Sequence, residues 1–345
     1  MRKDEHIDIS ILTGDGPMTN GFTDTFLLNN SIPGLAIDEI DLSQTFLGKN
    51  IAWPLMINAI TGGTERARGI NQCLASLAGK YNIPMAVGSL NIAIEDPDTI
   101  SSFAIVREKN PQGLILANIG ADEPPDKAVK AVKIIDADAL QLHFNVPQEI
   151  AMEEGERSFK NVLVNVEEIA AVSPVPVIAK EVGFGFSRET VEKLFACGIR
   201  IFDNGGQGGT NFITIENQRS GLMAEGFEHW GIPTAWSLGE IKALQLPIVI
   251  IASGGIRTPV EATKAIAMGA DMIGLAAPFL KAYVREGEAG VESYLQGFLY
   301  GLQAAALMTG SRNLAELSRQ PLIIMGQTAE WLRARGIDPG DWTSR

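Results

Sequence analysis

From residue 55 onward, short apolar runs rich in β-branched residues alternate with segments of helical periodicity. The runs are LMINAI (55–60), PMAVGS (84–89), LILANI (114–119), ALQLHF (139–144), PVIAKEV (176–182), IRIFDNG (199–205), PIVIIASGG (247–255) and MIGLAA (272–277). Between them lie RARGINQCLASLAGKY, DTISSFAIVREKN, PDKAVKAVKII, NVLVNVEEIAAV, SRETVEKLFACG, SLGEIKAL and TPVEATKAIAMG. Ser187 and Thr258 are good caps, with Pro259 suited to a first helical turn. Gly198 and Gly269 suit helix ends before the next strand. Eight strands alternating with helices predict an α/β fold of the (β/α)8 TIM-barrel type. An open doubly wound sheet is the alternative, and the count disfavours it. The gap from 205 to 247 predicts an insertion after the sixth strand, carrying NFITIENQRSG and HWGIPT. VESYLQGFLYGLQAAALMTG (291–310) predicts a long amphipathic helix that closes the barrel.

Residues 1–50 break this rhythm. MRKDEHIDIS is charged, Gly14-Asp15-Gly16-Pro17 marks a loop, and TFLLN (25–29) and LAIDEIDLS (35–43) read as short strands of an antiparallel cover. The expected organisation is an extension over the barrel mouth (1–50), the barrel (51–310) and a helical tail (311–345). Trp331 and Trp342 in the tail are placed to dock on a neighbouring element or subunit.

Alternation along ALQLHFNVPQE (139–149) separates two chemistries. Leu140, Leu142 and Phe144 share one strand face, while Gln141, His143 and Asn145 share the other. If the apolar face packs under helices, the polar face points into the barrel, where each polar group needs a partner. Gln148 and Glu149 follow at the strand's C-terminal end, where barrels carry their chemistry. Glycines in GGQGGT (205–210) and GGIR (254–257), with LAAP (275–278), allow close backbone approach beside helix starts, the geometry of a phosphate cradle. Lys180 and Glu181 are adjacent and face opposite ways; an inward Lys180 needs either a bound ligand or a neighbouring carboxylate. Glu149 is the candidate for a hard cation, as a single carboxylate bridging to phosphate is a common Mg2+ arrangement. Arg2, Lys3 and His6 form RKxxH, a pattern that alone reads as a solvated basic start.

A net charge of −13 argues against nucleic acid and anionic membranes as partners, so a phosphate-bearing ligand must be met by local groups. Two cysteines, Cys73 and Cys197, fit a reducing cytoplasm. No signal-like start and no apolar run of membrane-spanning length occurs.

Taken together, RKxxH (2–6), NAITGG (58–63), VGS (87–89), ANIG (117–120), LQLHFNVPQE (140–149), AKEVGFG (179–185), GGTNF (208–212), WGIPT (230–234) and ASGGIR (252–257) resemble the type 2 isopentenyl-diphosphate isomerases, flavoenzymes built on this barrel. The resemblance runs over nearly the whole chain. It implies FMN contacts at Ala59, Ile60, Thr61, Ser89, Asn118, Lys180, Thr210, Gly255, Ile256, Arg257, Ala276 and Ala277. It implies Arg2, Lys3, His6, Ser89, Asn91 and Gln148 at the diphosphate substrate, with His143, Asn145 and Gln148 catalytic and Glu149 holding Mg2+. NADPH or another reductant would reduce the flavin, and the enzyme would be a cytoplasmic homo-oligomer, a tetramer or octamer. The pattern departs at Asn91, where many members carry arginine or lysine, and mildly at Ile60, commonly methionine. Interconverting isopentenyl and dimethylallyl diphosphate needs protonation at one carbon and deprotonation at another. No pair of acid–base side chains brackets such a substrate, whereas reduced FMN has an acid–base nitrogen, with Gln148 orienting or relaying a proton. Two rivals are a flavin-dependent 2-hydroxy-acid oxidase, which needs a histidine–arginine pair near the sixth and seventh strands, and a non-catalytic flavin-binding barrel, which leaves QLHFNVPQE unexplained.

Overall fold

The computed structural model describes residues 2–344, and the side chains of residues 7–9 and 11–344. Eight parallel strands close into a barrel in chain order: β1 (Leu55–Ile57), β2 (Met85–Ala86), β3 (Ile115–Gly120), β4 (Ala139–Phe144), β5 (Val177–Glu181), β6 (Ile201–Asp203), β7 (Val249–Ser253) and β8 (Met272–Leu275). The open-sheet alternative is thereby excluded. The helices expected between strands are present, among them Glu65–Tyr81, Arg188–Ala196 and Pro259–Met268. Ser187 caps its helix by accepting from Thr190 N, and Thr258 and Glu261 form a capping box ahead of Pro259. The closing helix spans Ala277–Thr309, with a break in helical geometry at Gly287 (φ 62°).

Strand parity sorts the chain into two environments. Leu140, Leu142, Ala117, Ala179, Phe202 and Ile273 face outward into the main core against the helices. Inward-facing Met56, Leu116, Ala139, Ile178, Ile251 and Met272 form an apolar layer at the N-terminal end of the barrel. One pleat higher, the inward residues turn polar: Asn58, Asn118, Gln141, Lys180, Asp203 and Ser253 are all buried. Register aligns them, pairing Asn118 with Gln141, His143 with Lys180, and Lys180 with Asp203. The polar layer therefore sits on an apolar floor and opens only toward the strands' C-terminal ends.

The extension differs from expectation in two places, the segment 35–43 and the hairpin that follows it. The charged start is a helix, Arg2–Thr13, which packs near Phe212–Ser220. LAIDEIDLS is not a strand but holds a 3-10 turn, Ile37–Glu39. Glu39 accepts from Ala36 N at 2.8 Å and Asp41 from Ser43 N at 2.9 Å, so the acidic side chains satisfy local amides that a strand would have paired. Gln44–Phe46 and Lys49–Ile51 form a hairpin with Leu47 and Gly48 at positive φ in its turn. This hairpin covers the end of the barrel opposite the mouth: Phe46 and Ile51 join the apolar floor, and Lys49 pairs with Asp138 at 2.7 Å, just before β4. Only the earlier part of the extension reaches the mouth loops, where Gly16 N donates to Gly209 O and Asn20 Nδ2 to Gly255 O.

The tail is not wholly helical, since Leu322–Ile324 pairs antiparallel with Thr25–Leu27. Both tail tryptophans dock within the chain. Trp331 stacks on Trp236 at 4.8 Å and donates to Glu240, and buried Trp342 donates to Met268 O.

Candidate active site at the barrel mouth

The polar layer is one connected set of hydrogen bonds. Asp203, on β6, accepts from Lys180 Nζ at 3.1 Å, from Asn58 Nδ2 at 2.6 Å and from the Ser253 hydroxyl. Lys180 also donates to Glu181 O. Of the two partners expected for Lys180, the structure provides the neighbouring carboxylate. Gln141 Nε2 donates to Asn58 Oδ1, Asn118 Nδ2 donates to Gln141 Oε1, and Asn118 Oδ1 meets His143 Nδ1 at 2.8 Å.

Beyond β4 the chain turns into the short helix Val146–Ala151, with Pro147 in its first turn, carrying Gln148 and Glu149 onto the mouth. Gln148 Nε2 donates to Glu216 Oε1 at 3.1 Å. Glu216 is fully buried and takes Arg219 Nη1 on its other oxygen at 2.5 Å. Each Glu149 oxygen is oriented by one donor: Oε1 accepts from Asn145 Nδ2 at 2.7 Å and Oε2 from Glu156 N at 2.8 Å. Asn145, expected at the substrate, is thus engaged with the candidate metal ligand. Burial first, and then the negative charges of Glu123, Glu149 and Glu156, push the Asp122 carboxyl above its usual range. Among the described residues, no three His, Cys, Asp or Glu side chains cluster to hold a metal by themselves.

Asn91 opens the short helix Asn91–Glu95, and its Oδ1 accepts from Lys127 Nζ at 3.1 Å. A cation therefore does stand beside this position. It is also paired with Glu123 at 2.8 Å and Glu95 at 3.3 Å, and these carboxylates raise the Lys127 pKa. Arg2 and Lys3 lie on the N-terminal helix with His6, but their side chains fall outside the described residues.

The late loops pack backbone on backbone. A Cβ on Gly254 would lie 1.9 Å from Gly206 O, and one on Gly209 would lie 2.5 Å from Gly255 N. The glycines are thus demanded first by loop-on-loop contact. That contact brings Thr210, Gly255, Ile256 and Arg257 together, and the helix beginning at Ala277 starts just after β8. Arg257 is held by Asp15 at 2.5 Å. Ala59, Ile60, Ser89, Ala276 and Ala277 are half-buried at strand ends on the same side. Among the described residues, Thr61 Oγ1 and Gln207 Oε1 in the mouth loops and Thr214 Oγ1 in the helix Phe212–Ser220 are buried atoms without a hydrogen-bond partner. Thr61, after β1, is the orphan among the residues expected to contact FMN. A buried hydroxyl lacking a partner fits a ligand with polar edges.

Glu181, facing outward from β5, shapes one wall. Its Oε2 accepts from the N–H groups of Gly183, Phe184 and Gly185 at 2.6–3.0 Å. Burial pushes its carboxyl up to about 7 against these three donors.

Asn58, Asp203 and Glu216 belong to the site yet were not singled out in the sequence. Asp203 carried a signal, since parity turns the acid of IRIFDNG inward. Glu216 carried none, because its partner lies 68 residues away.

Residues 231–324 match the family described as FMN-dependent dehydrogenase. Among solved structures the chain is similar to a lactate oxidase of Pediococcus acidilactici, with TM-score 0.71 and 14% identity over 94% of this chain and 91% of that one. It is similar also to a mandelate oxidase, with TM-score 0.65 and 16% identity over 94% and 98%. At such identities these likenesses establish the fold alone. The histidine that an oxidase needs near the sixth and seventh strands is not found there: His143 is on β4, and His229 lies in the insertion beside Glu228. Curated relatives are far more similar. The isopentenyl-diphosphate delta-isomerase of Symbiobacterium thermophilum is 44% identical over 321 residues, 92% of this chain and 88% of its own. That of Moorella thermoacetica is 43% identical over 334 residues, covering 97% and 96%. With such identity along almost its full length, the chain belongs to the isopentenyl-diphosphate delta-isomerase family.

Proposed function

We propose that this protein interconverts isopentenyl diphosphate and dimethylallyl diphosphate, using reduced FMN and Mg2+. The observation that carries the reading is the inward polar row of β4, which emerges at the mouth as Asn145, Gln148 and Glu149 in a chain with isomerase relatives at 44% identity. Ala59, Ile60, Thr61, Ser89, Asn118, Lys180, Thr210, Gly255, Ile256, Arg257, Ala276 and Ala277 would hold FMN, and the orphaned Thr61 hydroxyl supports that assignment. When bound and reduced, by NADPH or another reductant, FMN supplies acid–base chemistry without net redox change.

The chain's own groups do the rest. Gln148, steadied by Glu216, presents a carboxamide of fixed orientation to the reacting carbons. Glu149, oriented by Asn145 and Glu156 N, would hold Mg2+, and the surplus of carboxylates around Asp122 favours a hard cation. Arg2, Lys3 and His6, with Ser89, Asn91 and His143, would take the diphosphate. In a chain of charge −13 such local cations are needed to hold it.

The reading places the enzyme in the cytoplasm. Its cysteines are free thiols, and no described helix is long and apolar enough to cross a membrane. Exposed Leu28, Ile32, Met308 and Met325 support a homo-oligomer. The test is an isomerisation assay with Mg2+ in D2O. Purified protein should show a flavin spectrum, turn over many times per reductant added, and release product carrying solvent deuterium. Full activity with oxidised flavin, or one reductant consumed per product, would sink the reading.

A further inference from the structure

The hydrogen bonds of the polar layer have a direction. Amide oxygen and nitrogen are close in shape, so their assignment rests on groups that cannot reverse. Two such groups meet Asn58. The Asp203 carboxylate, paired with the Lys180 ammonium, accepts and does not donate. The backbone N–H of Ala59 donates to Asn58 Oδ1 at 2.9 Å and cannot accept. Asn58 is therefore fixed with its nitrogen toward Asp203 and its oxygen toward Gln141. Gln141 must offer its nitrogen to that oxygen, which leaves Oε1 for Asn118 Nδ2. Asn118 is left with its oxygen toward His143 Nδ1. Reversing any link sets donor against donor or oxygen against oxygen. Asn58, Gln141, Asn118 and Asp203 are each at most 3% exposed, so water cannot relieve such a clash.

We propose that Asp203, acting through Asn58, Gln141 and Asn118, fixes the neutral imidazole of His143 as the Nδ1–H tautomer. Asp203 and the two amides nearest it are positioning residues, drawn from β6, the end of β1 and β4, and none is required to touch a substrate. With Nδ1–H committed to Asn118, the lone pair lies on Nε2. A group that meets Nε2 must therefore donate to it, and the tautomer does not rest on the function proposed above.

The experiment is side-chain 15N NMR of flavin-loaded protein labelled at histidine, without substrate, so its result is independent of isomerase activity. Of the three histidines, His143 is identified by the signals lost in His143→Gln. Above its titration, His143 should show a pyrrole-type Nδ1 and a pyridine-type Nε2, the reverse of the tautomer favoured by free imidazole. Gln141→Leu cuts the chain and should move both nitrogens to averaged shifts. Adding Asn118→Asp to that variant should restore the single-tautomer pattern, because a carboxylate accepts from Nδ1–H in either orientation. A wild-type His143 protonated at Nε2 would overturn the proposal, and this needs no variant to fold. So would an unchanged pattern in Gln141→Leu, or a double variant that fails to restore it.

Discussion

Glu216→Gln tests how the mouth orients Gln148. The wild-type carboxylate accepts on both sides, from Gln148 Nε2 at 3.1 Å and from Arg219 Nη1 at 2.5 Å. The guanidinium can only donate, so a glutamine at 216 must turn its oxygen toward Arg219 and its amide nitrogen toward Gln148. Gln148 then has to reverse, presenting its nitrogen to the mouth where the wild type presents its oxygen. The lost contact is a hydrogen bond to a buried charged group, worth about 1.5–3 kcal/mol. If that orientation matters mainly in the transition state, kcat should fall roughly ten- to a hundredfold. The KM for isopentenyl diphosphate should change little, since the substituted side chain keeps its volume. Arg219 retains Glu154 at 3.4 Å, so the fold should survive and the melting transition should remain cooperative. The assay is steady-state isomerisation over a range of substrate, with flavin content and thermal unfolding measured on the same preparation. A folded, flavin-loaded Glu216→Gln enzyme with wild-type kcat would refute the orientation argument.

Four further variants test the remaining contacts. Gln148→Ala should lower kcat more than it raises KM, whereas Glu149→Gln should weaken the Mg2+ dependence and leave flavin content intact; metal titration of activity with absorbance at the flavin band separates them. Removing residues 1–6 should raise the KM steeply, each lost charged contact to phosphate costing about 1.5–3 kcal/mol, and a truncated enzyme with normal KM would dissociate RKxxH from substrate binding. Arg335→Ala should destabilise the tail's docking by about 2–3 kcal/mol, read by denaturant unfolding; this is below the cost for a wholly buried pair because Arg335 is partly exposed, although its partner Glu240 is not. Arg335 also holds the Glu189 carboxyl at about 2, so that pair's contribution is complete above the ordinary value of 4.5 and fades as pH falls toward 2. The variant should lose this acid-side slope.

Strand content, strand order and the inward face of β4 were all legible in the sequence, because the period of two is a local property of the chain. LQLHFNVPQE needed only its own alternation to divide into a face for the helices and a face for the barrel. Caps at Ser187 and Thr258 were legible for the same reason, each being satisfied within four residues. What a side chain meets inside the barrel was not local. Lys180 had no protein partner assignable from the sequence, and the β5–β6 register supplied Asp203. The hairpin 44–51 could not be assigned to an end of the barrel until Lys49 reached Asp138, 89 residues on. Thr25–Leu27 found its partner strand only in the tail, at Leu322–Ile324. The sequence by itself therefore determined the barrel, the polar face of β4 and the family. The tertiary structure alone decided which polar group faces which, because that depends on register and on contacts between distant segments that no local period encodes.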